Sequence, residues 1–211
     1  MKNFVAVDTG SNYMTVIAVK DGKTFTRFAP DCAMKHSVSL MNAIDGVLKD
    51  ADMQLSDCDF FAAVVGAGSF TGIRIGISAV KGFCLAIGKP ALPVTSFDIA
   101  AYNALGDENG EKILCLVDAL HDCYYACGYQ NGKMVYSPAY LTEEEVLTLA
   151  ADGYALRACT PLPLSEKIAV ETIDPAAGLL GAVKALSEKE AFGELNALYV
   201  RKSSAELNLG K

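Results

Sequence analysis

The chain has 211 residues, with 18 Lys and Arg against 25 Asp and Glu, and a net charge of −7; this excludes a strong direct grip on nucleic acid, which needs basic surface to displace counterions. Hydrophobic residues make up 52% with no run read as approaching the ~18 apolar residues of a bilayer span, and an acidic residue arrives at Asp8, too early for a signal-peptide core, so a cytoplasmic globular protein with no membrane partner is expected. Seven cysteines without a CxxC pair argue for reduced core thiols and against a disulfide framework or a metal site.

Phe4 to Val7 reads as a short strand ending in Asp8-Thr9-Gly10-Ser11, and Met14 to Val19 as a second strand. Asp21-Gly22 is a two-residue hairpin signal leading into Lys23 to Ala29. Lys35 to Asp50 reads as a helix, with Leu40, Met41, Ile44, Val47 and Leu48 on a wide apolar face. His36 stands at its start, without a second His or Cys nearby in sequence, which favours a structural or interface role over catalysis.

The strand Phe60 to Val65 runs into Gly66-Ala67-Gly68-Ser69-Phe70-Thr71-Gly72, and a helix opens there and continues to Gly88 before Lys89-Pro90 stops it. A strand, a glycine-rich turn and a helix start bring free backbone N–H groups and the positive helix end to one point. That geometry suits either an anion such as phosphate or close packing against another backbone. Asp8, Thr9, Gly68, Ser69 and Thr71 are therefore the candidate phosphate or nucleotide loop. Between Ile73 and Ile87 the strongly polar residues are Arg74, Ser78 and Lys81, a single stripe. A helix so apolar around its circumference needs cover on more than one side. Gly72 and Gly76, one turn apart, with Ala79 and Ala86, form a small-residue strip that admits a close neighbour, inside the chain or outside it.

Ala91 to Val94 gives another strand, Thr95-Ser96 caps a helix through Leu105, and Gly106 to Gly110 reads as a linker. This places a first lobe at residues 1–107 and a smaller second lobe at 108–211, with the last ~15 residues free to return to the first lobe. In the second, Ile113 to Val117 and Cys123 to Tyr129 are strands, and Asn131-Gly132 is a hairpin turn. Thr142-Glu143-Glu144-Glu145 is a capping box opening a helix to Ala150, and Asp174-Pro175 opens another to about Lys189. Ala158 to Lys167 shows little pattern. Both lobes open with a strand ending in Asp, at Asp8 and Asp118, the plan of the two-lobed actin, Hsp70 and sugar-kinase superfold. The expected class is thus α/β, with mixed sheets flanked by helices and a reduced second lobe.

Gly66 to Gly76, Gly-Ala-Gly-Ser-Phe-Thr-Gly-Ile-Arg-Ile-Gly, closely resembles the glycine-rich signature of the TsaB (YeaZ) family, which has Pro where this chain has Ala67. Asp8-Thr9, Lys35-His36-Ser37, Pro93-Val94-Thr95-Ser96, Val117-Asp118-Ala119 and Tyr199-Val200-Arg201 fit the same family. The likeness is strong through Phe97 and thin from about Gly128 to Asn196. It implies a non-catalytic subunit of the bacterial machinery that adds threonylcarbamoyl to the tRNA adenosine next to the anticodon. It also implies a catalytic paralogue of TsaD type as partner, an ATPase subunit of TsaE type, and a homodimer when the partner is absent.

The resemblance places the partner and dimer interface on the two first-lobe helices; the residues expected there are His36, Leu40, Ile44, Val47, Ile73, Gly76, Ile77 and Val80. On that reading Ile77→Asp breaks the complex and spares the fold. No cofactor is expected, a bound nucleotide would not be turned over, and no catalytic or metal-ligating residue is assigned. The paralogue's metal site resembles two His on one helix, whereas His36 and His121 fall in different lobes here. After Asp118-Ala119 the family's Arg and Gly-Glu are replaced by Leu120, Asp122 and Cys123. The alternatives are a stand-alone ATPase or phosphotransferase of the same superfold, using Asp8 and the loop at Gly68, and, more weakly, a peptidase.

Overall fold

The computed structural model describes residues 2–105 and 110–201. Of the expected linker, residues 106–109, and with them the expected boundary between lobes, lie outside the described residues.

The first sheet contains β1 (Phe4–Asp8), β2 (Met14–Lys20), β3 (Lys23–Ala29), β4 (Phe60–Gly66) and β5 (Ala91–Thr95), in the order β3-β2-β1-β4-β5. β1, β2 and β3 pair antiparallel, while β1, β4 and β5 are parallel. Helix α1 (His36–Asp50) links β3 to β4, α2 (Phe70–Ile87) links β4 to β5, and α3 (Ser96–Ala100) follows β5. The second sheet repeats the plan: β6 (Lys112–Asp118), β7 (Cys123–Gln130), β8 (Lys133–Thr142), β9 (Tyr154–Ala158) and β10 (Val170–Thr172) lie in the order β10-β9-β6-β7-β8. Here α4 (Glu143–Ala151) stands where α1 does, and α5 (Pro175–Glu188) where α3 does. The position of α2 is taken by a single 3-10 turn, Pro163–Glu166. This repeated β-β-β-α-β plan is the expected actin, Hsp70 and sugar-kinase superfold, reduced in its second half.

Three apolar clusters hold the layers together. One lies between the sheets, where Phe4, Ala6, Ile17 and Val94 of the first meet α3, Leu179, Ala182 and Val183 of α5, and Ile113 and Cys115 of the second. A second lies between the other face of the first sheet and α1 with α2. The third, around Leu114, Tyr124, Val146 and Leu164, fixes α4 on the far side of the second sheet. The order of layers is therefore helices, sheet, helices, sheet, helix. Although α5 follows the second sheet in sequence, it packs on β1, β2 and β5 of the first.

α3 is shorter than expected: it ends at Ala100, and hydrogen-bonded turns carry the chain to Leu105. β9 carries no strand signal of its own, and β10, Val-Glu-Thr, is too short to announce itself. Tyr-Ala-Leu-Arg-Ala lacks the β-branched pattern and is extended because it pairs with β6 in the sheet. Pro138 is tolerated in β8 because that strand lies at the sheet edge.

α2 starts where the Ser69 hydroxyl accepts a hydrogen bond from the Gly72 amide, 3.2 Å, and stops at Gly88, in the left-handed conformation at φ 69°. Contrary to the reading from sequence, its 18 residues are long and apolar enough, by length and composition, to cross a membrane. In the fold, Gly72, Ile73, Gly76, Ile77 and Val80 form a buried inner stripe against the first sheet.

Candidate functional site

The glycine-rich loop sits against the turn that ends β1. Ser69 N donates to the Gly10 carbonyl at 2.7 Å, and the Thr9 hydroxyl donates to the Gly72 carbonyl at 2.7 Å. A Cβ at Gly68 would collide with the Gly10 carbonyl oxygen, and one at Gly72 with that of Thr9. A Cβ at Gly76 would fall 2.6 Å from the Thr9 hydroxyl. Gly66 lies equally close to the carbonyl of Leu198, whose amide donates to Val65 O at 2.7 Å. Gly66, Gly68 and Gly72 thus let neighbouring backbone approach, and Gly76 makes room for the Thr9 side chain. Of the candidate phosphate loop, Asp8, Thr9, Gly68 and Ser69 come together, while Thr71 is exposed on the outer side of α2.

Asp8 is fully buried. Its Oδ1 accepts from Gly10 N at 2.8 Å, and Oδ2 has no hydrogen-bond partner among the described residues. Burial raises its pKa above the usual carboxylate value, with the Gly10 amide, nearby Tyr13 and His36 opposing. A buried carboxyl at the loop disfavours a second negative group beside it when ionised. Cys159, at the end of β9, is pushed up to about 12, first by burial and then by Asp8.

The eight residues expected at an interface face inward. His36 is buried, its Nε2 3.0 Å from the Tyr13 carbonyl oxygen. Leu40, Ile44 and Val47 of α1, and Ile73, Gly76, Ile77 and Val80 of α2, are covered by the first sheet. They set the two helices in place, and only Leu40 among them also lines the groove between the helices, so Ile77→Asp would strike the core. Their spacing marks the inner stripe, and it is the apolar residues out of phase with it that are exposed. These are Val38 (76% exposed) and Met41 along α1, and Leu85 (88%) on α2, with Met34 (97%) exposed in the turn just before α1. The missed signal was the helical phase of Leu85 relative to Ile77 and Val80.

Between the helices runs an open groove of about 470 Å³ whose floor and walls include Leu40, Met41, Ile75 and Ala79. Arg74 stands at its rim. The guanidinium lies 3.8 Å from the ring centroid of Phe70, one helical turn earlier. Arg74 Nε donates to the Tyr199 hydroxyl at 2.8 Å, and Tyr199 stacks on Phe70 at 4.4 Å. Two residues on, Arg201 lies over Tyr140 of β8, 4.7 Å from the ring centroid. Residues 198–201 thus bridge the start of α2 and the second sheet. Among the described residues, no three of His, Cys, Asp and Glu are grouped so that they could hold a metal ion.

Residues 25–169 match the family model of TsaD, described as tRNA N6-adenosine threonylcarbamoyltransferase. The TsaB protein of Buchnera aphidicola, named for tRNA threonylcarbamoyladenosine biosynthesis, is 30% identical over 63% of this chain and 63% of its own length. The Escherichia coli protein of the same name is 28% identical over 61% of this chain and 55% of its own. The match therefore spans under two thirds of either relative. A crystal structure from Pseudomonas aeruginosa, described as an uncharacterised protein with similarity to peptidase YeaZ, shares the fold: TM-score 0.77 at 24% identity, covering 95% of this chain and 100% of that one. With the TsaD family model matching most of its length, TsaB proteins among its relatives and a YeaZ-like structure sharing its fold, this chain belongs to the TsaB (YeaZ) family.

Proposed function

We propose that this chain is a non-catalytic, activating subunit in the biosynthesis of tRNA threonylcarbamoyladenosine, docking a catalytic paralogue of TsaD type through the outer faces of α1 and α2. The observation that carries this reading is the set of exposed apolar side chains Val38, Met41 and Leu85 on α1 and α2, with half-buried Ile75 beside Met41 in the open groove between the two helices. Burying two largely exposed and two half-buried side chains contributes roughly 4–9 kcal/mol, no more than the ~4–15 kcal/mol that association costs in lost freedom. The partner must therefore cover most of both helices. A face of that extent fits the ~800 Å2 per side of an ordinary specific interface. Without the partner, the same face serves a homodimer, because related folds present related patches. An ATPase of TsaE type joins the assembly, and with a net charge of −7 the chain leaves tRNA to its partners.

The phosphotransferase alternative rested on the glycine-rich loop. The close packing of Gly68 and Gly72 on Gly10 and Thr9 supplies another reason for those glycines, so no specific feature favours that alternative. Leu85→Asp tests the proposal. Leu85 is 88% exposed, so the variant should keep the parental Tm and lose co-purification with a co-expressed TsaD-type protein. A full-strength complex on gel filtration removes this face from the interface.

A further inference from the structure

Sulfur is distributed unevenly in this fold. The cysteines are buried or half-buried, and burial pushes the thiols of Cys58 and Cys159 up to about 12 and that of Cys127 up to about 11. A thiol held protonated in this way is a poor nucleophile. The thioethers are divided differently: Met14 and Met53 are buried, whereas Met34, Met41 and Met134 reach the surface. A thioether has no proton to lose, so exposure decides its oxidation. Met34 stands in the turn before α1 and Met134 on β8 of the second sheet, while Met41, 47% exposed, lines the groove between α1 and α2. Leu40, Ile75 and Ala79 line the same groove. Leu at position 41 would occupy a similar volume at a comparable helix propensity, so neither packing nor propensity calls for sulfur there.

We propose that Met41 is an oxidation site, at which a hydroperoxide adds oxygen to the thioether of the free chain and closes the docking groove to the catalytic partner. The inference rests on the docking face described above and supplies its regulation. In the step, a sulfur lone pair attacks the outer peroxide oxygen, so that an S–O bond forms and the O–O bond breaks. The departing oxygen keeps the bonding pair, takes a proton and leaves as water or an alcohol; sulfur is oxidised and the peroxide reduced. The product is a polar sulfoxide. In the free chain water hydrates it and the fold is undisturbed. Under the partner it is stripped of water beside Leu40, Ile75 and Ala79, where an acceptor without a donor is costly. Docking in turn covers the sulfur, so the assembled subunit resists the oxidant that the free one does not. A sulfoxide reductase reverses the change.

The experiment treats the full, free chain with dilute hydrogen peroxide and removes the peroxide before a TsaD-type protein is added. Peptide mass spectrometry reads the oxidised residues, and Tm and Kd are measured before and after. Met41 should gain one oxygen atom, Tm should stay at the parental value, and Kd should rise about 10-fold or more and recover after reductase treatment. Met41→Leu, compared with its own untreated form, should lose no affinity on the same treatment, which assigns the effect to this sulfur and not to Met34, Met134 or half-buried Cys123. Met41→Gln, which carries a polar oxygen permanently, should weaken binding about 10-fold without peroxide. In the assembled complex Met41 should oxidise more slowly than Met134. A treated free chain whose Met41 stays unoxidised overturns the proposal, as does a parental Kd once Met41 carries oxygen, or a Met41→Leu chain that loses affinity as the parent does. If Leu85→Asp abolishes binding while the oxidised parent binds normally, the docking face stands and Met41 does not regulate it. If Leu85→Asp also binds normally, the docking face itself falls, and the regulation with it.

Discussion

Asp8 ends β1 buried, with one carboxylate oxygen that has no hydrogen-bond partner among the described residues. Its folded pKa is raised above the ~3.9 of an exposed Asp, so between those values the folded chain binds the proton more tightly than the unfolded chain. Stability from this group is fully present below about pH 4 and is lost as pH rises through the folded pKa. Asp8→Asn keeps an acceptor for the Gly10 amide and removes the buried charge. The variant should therefore melt above the parent at pH 7, with the difference closing towards pH 4, as thermal scans across that range will show. A second residue, Gly72 near the start of α2, tests the backbone contact at the glycine-rich loop. Gly72→Ala drives a methyl into the Thr9 carbonyl and should lower stability by about 2–3 kcal/mol, overpacking at a rigid backbone contact, measured by urea denaturation.

At the scale of the element, α2 shows what a sequence can and cannot announce. Its existence, its start at Ser69 and its stop at Gly88 follow from capping chemistry that is local and readable. So are the Asp21-Gly22 and Asn131-Gly132 hairpins, and the α4 capping box, in which Thr142 and Glu145 exchange hydrogen bonds. Which face of α2 is covered was not readable in the same way. Ile73, Ile77 and Leu85 are equally apolar, and only the sheet beneath decides that the first two are core while the third is bare. The glycine-rich loop posed the same difficulty. Both an anion cradle and a backbone contact need residues without a Cβ, and the contact partners, Thr9-Gly10 and Leu198, are remote in sequence. β9 was missed for a related reason, since its extended form comes from pairing with β6 and not from its own residues.

At the scale of the molecule, the two halves repeat one plan, and the second lacks a counterpart of α2. The halves are nonetheless one packing unit. The face of the first sheet that carries Phe4, Ala6 and Ile17 is closed by Leu179, Ala182 and Val183 of α5. Leu195 is buried in the cluster beneath α1 and α2, and the Leu198 amide donates to the Val65 carbonyl near the end of β4. A fragment ending at residue 105 would leave that face and part of the helix side bare. It should show no cooperative unfolding transition by circular dichroism and should bind a hydrophobic dye, whereas the full chain unfolds in one step.

The segment around Leu195 and Leu198 also sets an order of events during synthesis. A ribosome finishes β1 to β5 long before it releases the residues that seal them, so the early half must wait as an unsealed nascent chain. Contacts so distant in sequence slow folding, and the apolar face of the first sheet that α5 later closes is on show throughout the wait. A chaperone holding that face would therefore affect yield before any question of activity arises.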